Sequence, residues 1–221
     1  MTSWRKRRRK SPPRKRRKKR SNCYHDGKSS IADHIASHWE HDANSVRFFR
    51  ASANFLFTFK TEGQARFLRF NHADERTLKG IEAELDFLKF LATENIQIAM
   101  PIRSNAGNHI ESIDTDYGTF HTVVFQGIAG EQFDLETMNQ DRFAQWGNSL
   151  GRLHNAAQKY CGTGRPTWED QLIWVDANLP TEERAAHAAS AKLNAALRDL
   201  PILADNFGLI HFDFELDNVI W

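Results

Sequence analysis

Leu209-Ile210-His211-Phe212-Asp213-Phe214-Glu215-Leu216-Asp217-Asn218-Val219-Ile220-Trp221 is the stretch on which the reading of this chain turns. Asp213 is followed five residues later by Asn218 and preceded two residues earlier by His211, with apolar residues on both flanks. Phosphoryl transfer asks little covalent chemistry of a protein. It needs a carboxylate to take the acceptor's proton and an oxygen ligand beside it to hold a metal ion, which this spacing supplies. On that reading Asp213 is the base and Asn218 binds Mg2+. Three fixed positions make a short motif, and a polar turn between two strands satisfies them equally well. What precedes the loop therefore decides.

Immediately upstream the apolar residues recur with helical period. Residues 141–160 place Phe143, Trp146, Leu150, Leu153, Ala157 and Tyr160 on one stripe, which predicts a long core helix. Residues 181–200 predict another, with Thr181 as N-cap, Glu182 and Glu183 in the first turn, and Pro201 as the stop. Before Gly127 the pattern is that of strands. Segments 46–51, 54–60, 66–70, 109–113 and 119–126 are rich in β-branched and aromatic residues, with turn residues such as Ser52, Gly63, Asp116 and Gly118 between them. A short helix is expected at 31–40 and a longer one at 74–91, where Ile81, Leu85, Leu88 and Leu91 form the apolar side. The fold class expected is α+β: an antiparallel five-stranded lobe (31–127) followed by a partial helical lobe (128–221) that ends in the catalytic loop.

Glu84 adds a second clue. It falls between Ile81 and Leu88 on the inward side of its helix, where an unpaired carboxylate is costly, and Arg69 on the preceding strand is the nearest candidate partner. Such a strand-to-helix ion pair aims a cation at the phosphates of a nucleotide. The bland alternative is an amphipathic helix whose Glu reaches solvent.

Charge is distributed unevenly. Residues 1–20 hold 13 of the 30 Lys and Arg and no acidic residue, so the remainder carries 17 basic against 28 acidic side chains, a formal charge of −11. An acidic body is a poor generic binder of nucleic acid, so any such role falls to the tail. The first 30 residues cannot bury enough apolar surface to offset ordering entropy and are expected to be a disordered basic tail. The competing function is thus a non-catalytic nucleic-acid-associated protein that uses this tail and keeps the body as a scaffold.

Other chemistries find little support. Two Cys make neither a disulfide framework nor a CxxC site, no apolar stretch is long enough to span a bilayer, and the basic start is not followed by a signal-peptide core; the cytoplasm is the expected compartment. His34, His38 and His41 share a helical face without an HExxH, and read as a solvated face. GxxxxGK[ST] and GxSxG are both absent, so neither P-loop nor nucleophile-elbow chemistry is expected.

With these residues in hand, the chain from about Ser45 to Trp221 resembles the aminoglycoside phosphotransferase and choline kinase-like enzymes, whose fold is similar to that of protein kinases. The resemblance implies ATP and Mg2+ as cofactors and a small hydroxyl-bearing acceptor. It puts Ser52 and Asn54 in the phosphate-covering turn, Arg69 at the nucleotide-binding cation, Glu84 as its helix partner, and Phe125, Gln126 and Ile128 in the hinge that contacts adenine. Asp213 becomes the catalytic base, Asn218 a metal ligand and His211 a structural member of the loop. Residues 147–154, Gly-Asn-Ser-Leu-Gly-Arg-Leu-His, resemble the family's helix before the catalytic segment.

Two departures stand out. The turn at 51–54 contains no Gly, which restricts backbone approach to phosphates. The family also carries a second Mg2+-binding Asp shortly after the Asn, whereas this sequence ends three residues beyond Asn218. The expectation drawn from that is weak or absent turnover, a catalytic loop that frays at its end, and aggregation through Phe143, Trp146 and Leu150.

Overall fold

A computed structural model of the chain describes residues 28–51, 54–203 and 206–221. The basic tail, Ser52 and Ala53 lie outside the described residues. The chain divides into two compact units, the first comprising residues up to Glu75 together with Pro101–Gly127, the second Arg76–Met100 together with Ile128–Trp221.

In the first unit, helix α1 (Ser30–Ala36) precedes strands β1 (Arg47–Ala51), β2 (Phe55–Thr61), β3 (Gln64–His72), β4 (Pro101–Ile102), β5 (Glu111–Thr115) and β6 (Gly118–Gln126). The sheet is antiparallel throughout, in the order β1-β2-β3-β6-β4, with β5 also on β6. β4 and β5 share one edge of β6 end to end, pairing at residues 124–125 and 118–122 respectively.

Period-two burial explains the strands. Phe55, Phe57 and Phe59 of β2, Leu68 and Phe70 of β3, and Phe120 and Val124 of β6 are buried on one face. Their rings interlock: Phe70 stacks on Phe55 and Phe57 at 5.2 and 5.6 Å and meets Phe120 edge-on at 5.5 Å. Burial of each such ring is worth about 1.5–3 kcal/mol. Helix α1 closes this face with Ile31, Ala32, Ile35 and Ala36, and Ser29 caps its start by accepting from the Ala32 N–H at 3.2 Å. Trp39 follows, its indole N–H donating to the Ile102 carbonyl at 3.3 Å. The β2–β3 hairpin turns through Glu62 and Gly63, both at positive φ (51° and 77°), and both N–H groups donate to the Asp42 carboxylate at 3.0 Å.

Six strands stand where five were expected. The extra one, Pro101–Ile102, is two residues long and opens on a proline at the sheet edge, too short to show any alternation.

The second unit contains α2 (Leu78–Thr93), α3 (Gln140–Ala157), α4 (Trp168–Asn178) and α5 (Arg184–Arg198), with 3-10 turns at Leu135–Thr137 and Leu216–Asn218. α2 begins four residues later than expected because Thr77 is its cap, accepting from the Gly80 N–H at 3.2 Å. α3 is capped by Asn139. α4 was not anticipated, and a capping box of Thr167 and Asp170 starts it. Hydrogen bonding from Thr167 holds the Asp170 carboxyl below its usual value. α5 starts at Arg184, so Thr181 is not its cap; Glu183 stands at that position without a capping bond. α4 and α5 are joined by the Ser190 hydroxyl donating to Asp176 at 2.6 Å. Among the described residues no helix is long and apolar enough to cross a membrane.

Candidate active site

Strand register puts Arg69 and Phe125 on one side of the sheet and Gln126, which has the parity of Phe120 and Val124, on the other. Leu68 and Phe70 of β3 face the aromatic core, so Arg69 between them faces the other way, opposite Val123 of β6, while Phe67 lies opposite Phe125. Arg69 and Phe125 meet there, the guanidinium carbon 5.0 Å from the ring centroid. A cation held over an aromatic face is kept from folding back into solvent, at a gain of about 0.5–1 kcal/mol. Gln126 ends β6 opposite Arg66, and the Gly127 N–H donates to the Ala65 carbonyl at 3.0 Å, closing the strand. Asn54 is half-buried at the β1–β2 turn; its neighbour Ser52 lies outside the described residues. A pocket of about 290 Å³ opens on the opposite, core-facing side, lined by Trp39, Phe59, Arg66 and Arg103 among others, and includes none of the expected site residues.

Glu84 lies in the second unit on α2, half-buried, and its carboxylate pairs with the Arg76 guanidinium just before the helix. Arg76 was missed by sequence reading. It stands two residues before the helix, next to the Thr77 cap, and lies outside any apolar pattern, so only a search for a second cation near Glu84 would have found it. Ile128 begins the long second segment of this unit and is exposed.

The terminal loop is built locally. The Asp213 N–H donates to the His211 carbonyl at 2.7 Å across Phe212, whose φ is +60°. A three-residue turn of this hand is rare and strained. It is followed by the 3-10 turn Leu216–Asn218, in which the Asn218 N–H donates to the Glu215 carbonyl at 3.0 Å. These two turns bring Asn218 back to Asp213. Its side-chain amide donates to the Asp213 carbonyl at 3.0 Å and to the Asp213 carboxylate at 3.2 Å. His211 packs edge-on against Phe214 at 5.3 Å, and Phe214 stacks on Trp146 of α3 at 6.4 Å, so His211 is part of the loop's packing.

The loop does not fray at its end. Trp221 and Glu131 exchange two backbone hydrogen bonds of 3.0 and 3.1 Å, and the Gln132 side chain donates to the Asp217 carbonyl at 2.7 Å. The Trp221 ring lies 5.9 Å from Phe133, over which the Arg142 guanidinium sits at 3.7 Å. Sequence reading missed this anchor because residues 130–133 carry no periodicity. The one signal was Gly130, where an added Cβ would lie 2.3 Å from the Trp221 carbonyl oxygen.

A β-rich unit followed by helices that end in a paired Asp and Asn is the architecture of kinase-like phosphotransferases. The phosphotransferase enzyme family (APH) matches residues 45–221, and the chain belongs to it. Amicoumacin kinase of Bacillus subtilis (strain 168) is 25% identical over 200 residues, covering 88% of this chain and 60% of that protein. Stress response kinase A of Salmonella choleraesuis (strain SC-B67) is 26% identical over 183 residues, covering 76% and 52%. Among solved structures, amicoumacin kinase hAmiN in complex with AMP-PNP, Ca2+ and Ami superposes with a TM-score of 0.76 at 22% identity, over 89% of this chain and 60% of that one. The microcompartment-associated aminopropanol kinase gives 0.69 at 24%, over 86% and 64%. At these identities the structural likeness speaks to the fold. The chain spans 52–64% of the length of these relatives.

Proposed function

We propose that this chain carries the ATP- and Mg2+-binding residues and the catalytic base of a phosphotransferase that moves the γ-phosphoryl group to a hydroxyl of a small acceptor. The single observation that carries the reading is the closed turn that holds the Asn218 amide 3.2 Å from the Asp213 carboxylate. Asp213 takes the hydroxyl proton as the acceptor oxygen bonds to phosphorus; the bond from phosphorus to the β–γ bridging oxygen breaks and ADP leaves. The donor set suits Mg2+, a hard ion that takes oxygen ligands and is commonly held by one or two protein groups plus phosphates and water. Asn218 offers its amide oxygen to the ion, and the Asp213 carboxylate is kept for the proton.

Arg69 is assigned to the phosphates, oriented by Glu84. A carboxylate has room for more than one guanidinium, so its pairing with Arg76 leaves this role open to it. Phe125, Gln126 and Ile128 are assigned to adenine, with Ser52 and Asn54 over the phosphates. The name of the relative amicoumacin kinase supports a small-molecule acceptor. The test is ATP-dependent labelling of a broad panel of small alcohols by the full chain in Mg2+, beside Asp213→Asn. Transfer that disappears in the variant is the expected result; no nucleotide binding and no transfer to any member of the panel would overturn the reading.

A further inference from the structure

Helix α2 carries Glu84, and one stripe of it is occupied by a single stretch of chain. Gly80, Ala83, Phe87, Phe90 and Glu94 follow one another at intervals of three and four, a continuous helical face. Against that face runs the segment 152–165, from the end of α3 into the loop beyond it. The Tyr160 ring lies 5.0 Å from Phe87 and 5.2 Å from Phe90, and its hydroxyl donates to the Asp86 carboxylate at 2.6 Å. Lys159 Nζ is 2.5 Å from a Glu94 carboxylate oxygen, and Arg152 donates to the Asn95 carbonyl at 3.1 Å, tying down the C-terminal end of the helix. At the other end Arg165 donates to the Gly80 carbonyl at 3.4 Å. Gly164, at φ +89°, approaches so closely that an added Cβ would lie 3.1 Å from the Ala83 Cβ. Glu84 falls between the two sets of tethers.

We propose that segment 152–165 clamps the Glu84 helix to the rest of the second unit, and that Tyr160, at its centre, is a positioning residue for the nucleotide site. The proposal rests on the phosphotransferase reading for the role of Glu84, but its structural half does not. Isolated helices of this length are marginal in water, so the position of Glu84 depends on what the helix is fastened to. A carboxylate that orients a phosphate-binding cation must hold its place to within about 0.5 Å. Burial and the bond to Asp86 push the Tyr160 hydroxyl up to about 12, so it stays a proton donor at any ordinary pH.

The experiment uses the full chain with Tyr160→Phe, Asp86→Leu and Asp86→Asn, reading hydrogen exchange of the α2 amides and the dissociation constant for Mg2+-ATP. Asp86 is exposed, so neither substitution at it disturbs a core. Tyr160→Phe and Asp86→Leu should speed exchange across α2 and weaken ATP binding by about three- to tenfold, the scale of one ordinary hydrogen bond, since the Asp86 partner is exposed. Asp86→Asn keeps an acceptor oxygen for the phenol and should stay within about twofold of wild type on both measures. Unchanged exchange in Tyr160→Phe overturns the clamp, and faster exchange with unchanged ATP affinity overturns the positioning role. A wild-type chain that does not bind ATP would sink the function reading and with it the positioning role, and exchange alone would then decide the clamp.

Discussion

Asn218→Ala separates the structural from the catalytic weight of the terminal loop. The substitution deletes two hydrogen bonds, one to the Asp213 carbonyl at 3.0 Å and one to its carboxylate at 3.2 Å, and leaves the backbone bond to Glu215 in place. A neutral hydrogen bond contributes about 0.5–1.5 kcal/mol and one to a charged group about 1.5–3, and both lie at the low end where the partners are exposed, as here. Together they amount to about 1–2 kcal/mol, a fall of roughly 2–8 °C in Tm for a chain of this size. If Asn218 also holds the metal ion, turnover loses more than that. Removing one preorganised electrostatic contact from an active site costs about 10²–10³ in rate, or about 2.7–4 kcal/mol. The two numbers differ enough to be told apart by thermal unfolding beside single-turnover phosphate transfer, both on the full chain. A variant that retains more than about a third of wild-type turnover would refute the ligand role of Asn218, and so would a loss of rate no larger than the loss of folded protein.

Gly130→Ala forces a Cβ to 2.3 Å from the Trp221 carbonyl oxygen and 2.5 Å from Ile220 Cγ2, so the Glu131–Trp221 exchange should break at a cost of about 1–3 kcal/mol, visible as a lower Tm and altered Trp fluorescence. Phe212 occupies φ +60° with a side chain 86% exposed; Phe212→Gly should relieve about 1–2 kcal/mol of backbone strain against about 0.5–1 lost to unfolded-chain entropy, giving a Tm at or above wild type where Phe212→Val falls below. The Tyr160 phenol is raised first by burial, then by Asp86, with Arg165 opposing. A group raised in the folded state favours folding fully below its ordinary value of 10.0, and that contribution fades as pH rises through about 12; absorbance titration should show one late phenol step that Tyr160→Phe removes. On the competing reading of the basic tail, deleting residues 1–20 should abolish any salt-sensitive nucleic-acid binding, and equal binding by the shortened chain would end that idea.

The sheet was legible in the sequence wherever alternation ran for four or more residues, as in Phe55-Leu56-Phe57-Thr58-Phe59. The helices were legible wherever apolar residues kept to one side. α4 escaped because Trp168, Leu172, Ile173, Trp174 and Val175 spread around its axis; only Leu172 is buried, while Ile173 and Trp174 are more than 60% exposed. Its capping box at Thr167 and Asp170 was the readable signal. Asp213 and Asn218 were singled out by their spacing, and a short local turn brings the two side chains together. Arg76, Gly130 and Tyr160 owe their contacts to partners 8 to 91 residues away, beyond what local pattern contains. Thr181 was misassigned because a good capping residue followed by Glu is a local signal, and Pro180 and the turn after it moved the start to Arg184.

Strand β6 alternates between two tasks. Phe120 and Val124 fill the aromatic core, and Val123 and Phe125 line the side that carries Arg69, with β3 on one edge and β4 and β5 on the other fixing the register. One residue inserted or deleted within the strand would exchange the two sets, sending Phe125 into the core and Val124 to the side of Arg69. Evolutionary change here is therefore confined to substitution: size can drift at either set, but length cannot, and variation in length is left to the loop at residues 103–110, where a gain of chain alters no parity.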